Sequence, residues 1–369
     1  MESSVKERLG FFETPEDLVL SLLCTFGDWY NSSGQAERLE RQVGAANFTR
    51  TAVELFVQEW RVFLPPRHTR ALQICPILGF VAVFVTTPTI LAHILSRVRL
   101  RQQTRYLLLA NVLLSDLLFV ALYMLSTCLN TAAVLMSAWT CAAVLFLMGA
   151  LYCTGLFSAT AIVLDTSLAV LAPLRYATLW PLATTYRVIS AIWAVSVSVP
   201  AASVSVFLWY HVSGPCRRHI CSLPVVLVLT VSHSRPLQVC MLLTVTTMLL
   251  SLLLVLSGYV ALCCQTRRAG VWRRGQSSRA RGTFLIHYLY LFLSMCPMML
   301  LAIELLTYCY SKGVNPRTSL WVSLVLCNVL LVLPKSLAPY LYGLRYRDLR
   351  GALRDCFGLR RTRAVTPVT

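Results

Sequence analysis

Two charged residues stand where charge is expensive. Asp116 and Lys335 each fall within a long apolar run, and an ionisable side chain inside a bilayer is costly unless paired, which makes it a functional candidate by default. The chemistry open to them is ion pairing or cation binding rather than turnover. No Walker loop, His-Glu-x-x-His run or dinucleotide fingerprint occurs in the chain, so an enzyme has no positive support. The fourteen cysteines lie mostly singly in apolar stretches, where cysteine is usually a small core residue rather than a metal ligand. No cofactor and no metal site are expected.

The elements that hold these residues follow from composition. The chain has 369 residues, 57% hydrophobic and 13% charged, with a mean hydropathy of +0.67; soluble domains run at about 45–50% apolar and 25% charged. A helix crossing about 30 Å of hydrocarbon needs about 20 mainly apolar residues. Seven such runs are found, at Ala71–Ser96, Tyr106–Leu129, Trp139–Leu164, Val188–Tyr210, Leu237–Cys264, Thr283–Tyr308 and Ser319–Leu344. No charge occurs between Asp116 and Asp165, a stretch too long for one helix, so the chain folds back near Asn130–Ser137 and spans two and three form a tight hairpin.

The net charge of +18 could indicate a nucleic-acid binder, but its distribution is topological. The loops after spans one, three and five carry twelve basic residues and the alternate loops five. The positive-inside bias therefore puts the first set in the cytoplasm and the N-terminus outside. Two sequons, Asn31-Ser32-Ser33 and Asn47-Phe48-Thr49, fall in that outer tail, making Asn31 and Asn47 candidate glycosylation sites. No clear signal peptide precedes them, so export would rely on span one. After span seven, Leu349, Leu353, Cys356 and Phe357 recur at helical spacing with arginines between them, reading as an amphipathic helix on the inner leaflet. Cys356 sits where palmitoylation could anchor it. The expected organisation is a glycosylated extracellular tail over 1–70, a transmembrane bundle over 71–344, and an amphipathic helix with cytoplasmic tail over 345–369.

The residues of this framework resemble the rhodopsin-like (class A) G-protein-coupled receptors over about Leu72–Phe357. The marks are Leu113-Leu114-Ser115-Asp116-Leu117, Trp139 with Cys141, Asp165 followed by Pro173-Leu174-Arg175-Tyr176, Trp193, Tyr259, Pro297, and Pro339-Tyr340-Leu341-Tyr342, in order along the chain. Within the family, Ser278–Thr283 and Pro339–Arg347 look like a little-characterised orphan group. The resemblance implies an all-α, rhodopsin-like bundle of seven transmembrane helices with a short amphipathic eighth helix.

Several motifs depart from the family pattern. The Asp-Arg-Tyr triplet is Asp165-Thr166-Ser167, which removes the arginine that in relatives locks the inactive state and contacts the G protein. The Cys-Trp-x-Pro switch is Ser294-Met295-Cys296-Pro297, leaving the proline kink with a flexible thioether in place of the tryptophan. Asn-Pro-x-x-Tyr is Ala338-Pro339-Tyr340-Leu341-Tyr342, Pro88 replaces the span-one asparagine, and Ser251 stands at the span-five proline position.

In relatives the span-two aspartate binds sodium. Asp116 lies 11 residues from Arg105, about 16 Å along a helix, and Lys335 nine from Leu344, about 13 Å. Matching depths point to Lys335 replacing the ion and pairing with Asp116. Gly155, Pro334 and Ala338 stand where relatives carry polar sodium-pocket groups. The competing reading has Lys335 snorkelling to water beside a protonated Asp116. An opsin is not supported, because the retinal-lysine position is Val332.

The resemblance also implies a disulfide from Cys141 to the second outer loop, on the oxidising side of the membrane. Cys216 and Cys221 compete as its partner. Cys221 is favoured because it opens a Val-rich stretch that reads as a hairpin strand. A ligand pocket among the outer halves of spans three, five, six and seven would be lined by Met148, Tyr152, Met295, Met298, Met299 and Asn328, with Tyr123 at one side. Met148 occupies the amine-binding aspartate position, which disfavours a small cationic amine and mildly favours a hydrophobic ligand. Glu304 near the rim could receive a basic peptide.

The expected function is a plasma-membrane receptor for an extracellular ligand that signals to a heterotrimeric G protein or arrestin, with membrane lipid as its other partner and no nucleic acid. With Thr166 and Met295 in place of two moving parts, a constitutively active, arrestin-only or silent receptor is the alternative. A small transporter or channel is the reading from a different class, and the lack of duplicated halves argues against it.

Overall fold

The computed structural model describes residues 66–132, 134, 136–171, 175–176, 180–212, 218–219, 221, 235–268, 277–310 and 322–356. The tail with Asn31 and Asn47, the alternative cysteine Cys216, the valines after Cys221 and the chain from Phe357 onward lie outside the described residues. The long helices are α1 (Pro66–Ser96), α2 (Thr104–Thr131), α3 (Ala138–Leu171), α4 (Leu182–Val212), α5 (Arg235–Arg268) and α6 (Ser277–Tyr310). One helical turn, Val98–Arg101, joins α1 to α2. A π-helical turn at Leu326–Leu330 leads into α7 (Val332–Arg345), which α8 (Arg347–Cys356) follows.

Among the described residues, six stretches are long and apolar enough to cross a bilayer: Ala71–Ser96, Thr104–Thr131, Trp139–Ala169, Leu182–Ser205, Leu285–Glu304 and Val322–Arg345. The expected fifth span, Leu237–Cys264, falls on α5. Val245–Val260 is its apolar stretch among the described residues, and the charge-free run continues on both sides of it.

These helices are apolar nearly all round because they meet two apolar environments. Leu108, Leu109, Val112 and Leu113 of α2, Ile162 of α3, Leu291 of α6 and Val332 of α7 are buried in one core. Leu78, Phe84, Leu285 and Phe292 stay exposed on outward faces, which suits a surface covered by hydrocarbon. Prolines 76, 88, 200, 297 and 339 lie inside helices. Membrane helices tolerate this where neighbouring groups re-satisfy the released backbone.

At the end of the bundle where α3 begins, β1 (Met136–Ser137) pairs antiparallel with β2 (Arg218–His219), Met136 opposite His219. A disulfide joins Cys141 to Cys221, 80 residues apart in sequence, in a small buried cluster with Met136 and Ala142. The observed strand thus precedes Cys221. At the opposite end, Leu349 and Leu353 of α8 are buried. The Arg350 guanidinium donates to the Leu344 carbonyl through Nε and Nη2, at 3.2 and 2.8 Å, closing the C-terminal turn of α7 as cationic side chains commonly do.

Candidate functional site

Three helices converge on one carboxylate in the middle of the bundle. Asp116 on α2 and Lys335 on α7 are almost wholly buried, at 1% and 2% exposure. Lys335 Nζ donates to Asp116 Oδ1 at 2.6 Å. The other oxygen, Oδ2, accepts the hydroxyl of Tyr290 on α6. Both carboxylate oxygens are therefore engaged, one by a cation and one by a phenol.

The ammonium is enclosed by aromatic faces. Nζ lies 4.8 Å from the ring centroid of Phe119 on α2 and 4.9 Å from that of Tyr152 on α3, within the roughly 6 Å over which a ring quadrupole attracts a cation. Tyr152 in turn donates its hydroxyl to the Ser294 carbonyl on α6 at 2.5 Å. That carbonyl is one residue beyond Leu293, whose own helical partner is removed by Pro297.

Room for the pair comes from Gly155 on α3. A Cβ there would lie 2.8 Å from Asp116 Oδ1, 3.2 Å from Ser115 Oγ and 3.3 Å from Lys335 Nζ. Those distances are too short for ordinary carbon contacts, so any larger side chain at this position must displace the pair. The same enclosure leaves an additional cation no free carboxylate oxygen.

Below this centre, aromatic residues run toward α8. Tyr342 meets Tyr290 edge to face, with centroids 5.5 Å apart, and His287 at 5.4 Å. Tyr346 and His287 share a hydrogen bond of 3.2 Å. Tyr106 donates to Asp348 Oδ2 at 2.6 Å. Burial pushes the Tyr346 hydroxyl up to about 12.

At the base of α3, Asp165 is buried and accepts the Tyr176 hydroxyl at 2.8 Å. Burial and that hydrogen bond to a carboxylate push Tyr176 up to about 12. Thr166 turns its hydroxyl onto its own helix, donating to the carbonyls of Ile162 and Val163 at 2.8 and 3.0 Å. Ser167 is buried. Tyr259 on α5 packs edge-on against Tyr288 on α6, with centroids 4.7 Å apart. Pro297 and Pro339 lie inside α6 and α7.

Of the pocket candidates, Tyr123, Met148, Tyr152 and Met295 are buried in the same core, and Met298 and Met299 pack against it half-buried. Asn328 is buried at the π-helical turn and directs its amide to the Leu324 carbonyl of its own helix at 2.8 Å. Glu304 is half-buried on α6. The side chain of Cys356, the last residue of α8, lies outside what is described.

Sequence reasoning did not single out Tyr290, Phe119, His287 or Tyr346. A signal for Tyr290 was available: it lies two turns before Pro297 in an apolar span, and a tyrosine hydroxyl in such surroundings usually finds a partner.

A bundle of long apolar helices packed around a buried carboxylate is the architecture of a helical membrane protein. The family model described as 7 transmembrane receptor (rhodopsin family) matches residues 88–350, and the chain belongs to this family. It is therefore a multi-pass membrane protein. It is similar to the human (Homo sapiens) "Probable G-protein coupled receptor 148", 29% identical over 293 residues, which cover 78% of this chain and 82% of that one.

Proposed function

We propose that this protein is a plasma-membrane receptor that senses an extracellular ligand and signals to a heterotrimeric G protein or arrestin through rearrangement of seven helices. Membership of the rhodopsin family over residues 88–350 carries the reading. In it α5 is the remaining transmembrane helix, completing the seven. The basic loops face the cytoplasm, the N-terminal tail is outside with sugars on Asn31 and Asn47, and α8 rests on the inner leaflet with Cys356 available to a palmitoyl chain.

The ligand enters among α3, α5, α6 and α7, where Met148, Tyr152, Met295, Met298 and Met299 favour an apolar molecule. At the centre the Lys335 ammonium stands in the position of the sodium ion of relatives, so the resting state carries its cation on its own chain. Tyr290 and Tyr152 link that centre to α6, the helix whose displacement would carry the signal.

The test is a panel of G-protein and arrestin recruitment assays on the native chain beside Thr166→Arg. The proposal expects at least one transducer to be recruited by the native chain. Recruitment by Thr166→Arg alone would overturn ordinary signalling and favour a silent receptor, a reading supported by threonine standing at 166 where relatives carry the coupling arginine.

A further inference from the structure

The bundle contains a cavity that the receptor reading does not use. It lies between α3, α4 and α5, has a volume of about 260 Å³, and is lined by Cys153, Leu156 and Phe157 of α3, small residues of α4 such as Ala202 and Ser203, and Thr247, Met248 and Ser251 of α5. We propose that this cavity is a binding site for one acyl chain of a bilayer phospholipid, entering sideways between α4 and α5.

The void has a local cause in the sequence. Gly149 of α3 meets Pro200 of α4 closely, since a Cβ on Gly149 would stand 3.1 Å from the proline ring. Pro200 interrupts the hydrogen bonding of α4 and bends helices where it occurs. Beside this pinch, α4 offers Ser198, Ala202 and Ser203, and α5 offers Thr247 and Ser251. Small side chains on both facing surfaces leave the space between the two helices unfilled.

The wall excludes water as the occupant. Ser198 donates to the Val195 carbonyl at 2.8 Å, Ser203 to Val199 at 3.2 Å, Thr247 to Leu243 at 2.7 Å and Ser251 to Thr247 at 2.9 Å. Every one of these hydroxyl protons is spent on its own helix. A buried water needs 2–4 polar partners, and apolar cavities of this kind stay dry.

Depth and size select a hydrocarbon chain. Cys153 lies near the middle of the Trp139–Ala169 span, about 18 Å along α3 from Cys141, where the surrounding solvent is acyl chain. Val199 and Leu243 line the cavity and are 39% and 62% exposed, so its mouth opens to that solvent rather than to the bundle centre. The volume falls below the roughly 300–1,000 Å³ of sites for drug-sized ligands, which suits a segment of one slim chain.

The test uses the full-length protein in nanodiscs of phosphatidylcholine containing a small fraction of phosphatidylcholine with a diazirine midway along one acyl chain. After photolysis, cross-links are mapped by mass spectrometry. Cross-links should concentrate on Cys153–Phe157 and Thr247–Ser251, above the outward face of α6 at Leu289 and Phe292. Ala202→Trp, which fills the cavity, should lower them by about fivefold or more while labelling of α6 is unchanged.

Thr247→Phe fills the space from the other helix and should act alike. Retention of the Cys141–Cys221 disulfide identifies the variants that fold. If neither folds, the native chain decides, because a charged methanethiosulfonate should modify Cys153 far more slowly than the exposed Cys128. Even labelling over all outward faces, labelling unaffected by either folded variant, or rapid modification of Cys153 by the charged reagent would each overturn the proposal.

Discussion

Lys335 Nζ lies 2.6 Å from Asp116 Oδ1 although 219 residues separate the two along the chain. Both side chains are buried at bilayer depth, so each is the main reason the other is tolerated there. Breaking a buried pair from one side costs about 3–5 kcal/mol, because an uncompensated charge remains. Lys335→Ala should therefore sharply reduce surface expression and thermal stability. Asp116→Asn combined with Lys335→Met should recover part of the loss. A double variant as damaged as the sum of the two single ones would show that the groups do not act as a pair.

Tyr290 ties the same carboxylate to α6. Tyr290→Phe keeps the ring against Tyr342 and removes only the hydroxyl, leaving Asp116 Oδ2 without its donor. A lost partner for a buried acceptor costs about 1–3 kcal/mol. The thermal unfolding of Tyr290→Phe should show that loss, and the loss should shrink in an Asp116→Asn background, as coupled groups require. Equal losses in both backgrounds would place the hydroxyl outside the site.

Gly155 is the space the pair occupies. Gly155→Ala puts a methyl 2.8 Å from Asp116 Oδ1, and overpacking of this kind typically costs about 1–3 kcal/mol. Gly351→Ala on α8 is the control, since nothing lies within 4 Å of its added carbon. The first variant should unfold at a lower temperature than the native protein and the second should not. Unaltered melting of Gly155→Ala would mean that the pair has more freedom than its enclosure implies.

The disulfide should be separable from the other cysteines. Non-reducing peptide mapping should recover Cys141 linked to Cys221, with Cys216→Ser leaving that link in place. A bridge between residues 80 apart stabilises by about 4 kcal/mol or slightly more in the chain-entropy picture. Cys141→Ser, Cys221→Ser and the double variant should consequently lose similar surface expression. Recovery of a Cys141–Cys216 peptide would reassign the partner.

The spans were legible because hydrocarbon excludes charge. The stretch Ala71–Ser96 can be read directly from where arginine stops and resumes, and the described helix carries the same apolar stretch. The charge-free run Leu237–Cys264 likewise falls within α5. The strand Arg218–His219 that pairs with Met136–Ser137 was not legible. Two-residue strands carry too little alternation to be recognised in a sequence.

The sequence by itself determined the depth of each residue, because rise per residue is constant along a helix and charge marks both ends of a span. It thereby determined that Asp116 and Lys335 lie within the bilayer and that the Asp-Arg-Tyr arginine is missing. Only the tertiary structure decided azimuth, meaning which neighbour each side chain faces. That choice selects Tyr290 from fifteen tyrosines, turns Thr166 onto its own carbonyls, gives Gly155 its purpose and leaves the cavity between α4 and α5. Azimuth depends on how ridges and small residues of separate helices interlock, and residues far apart in the chain decide it jointly.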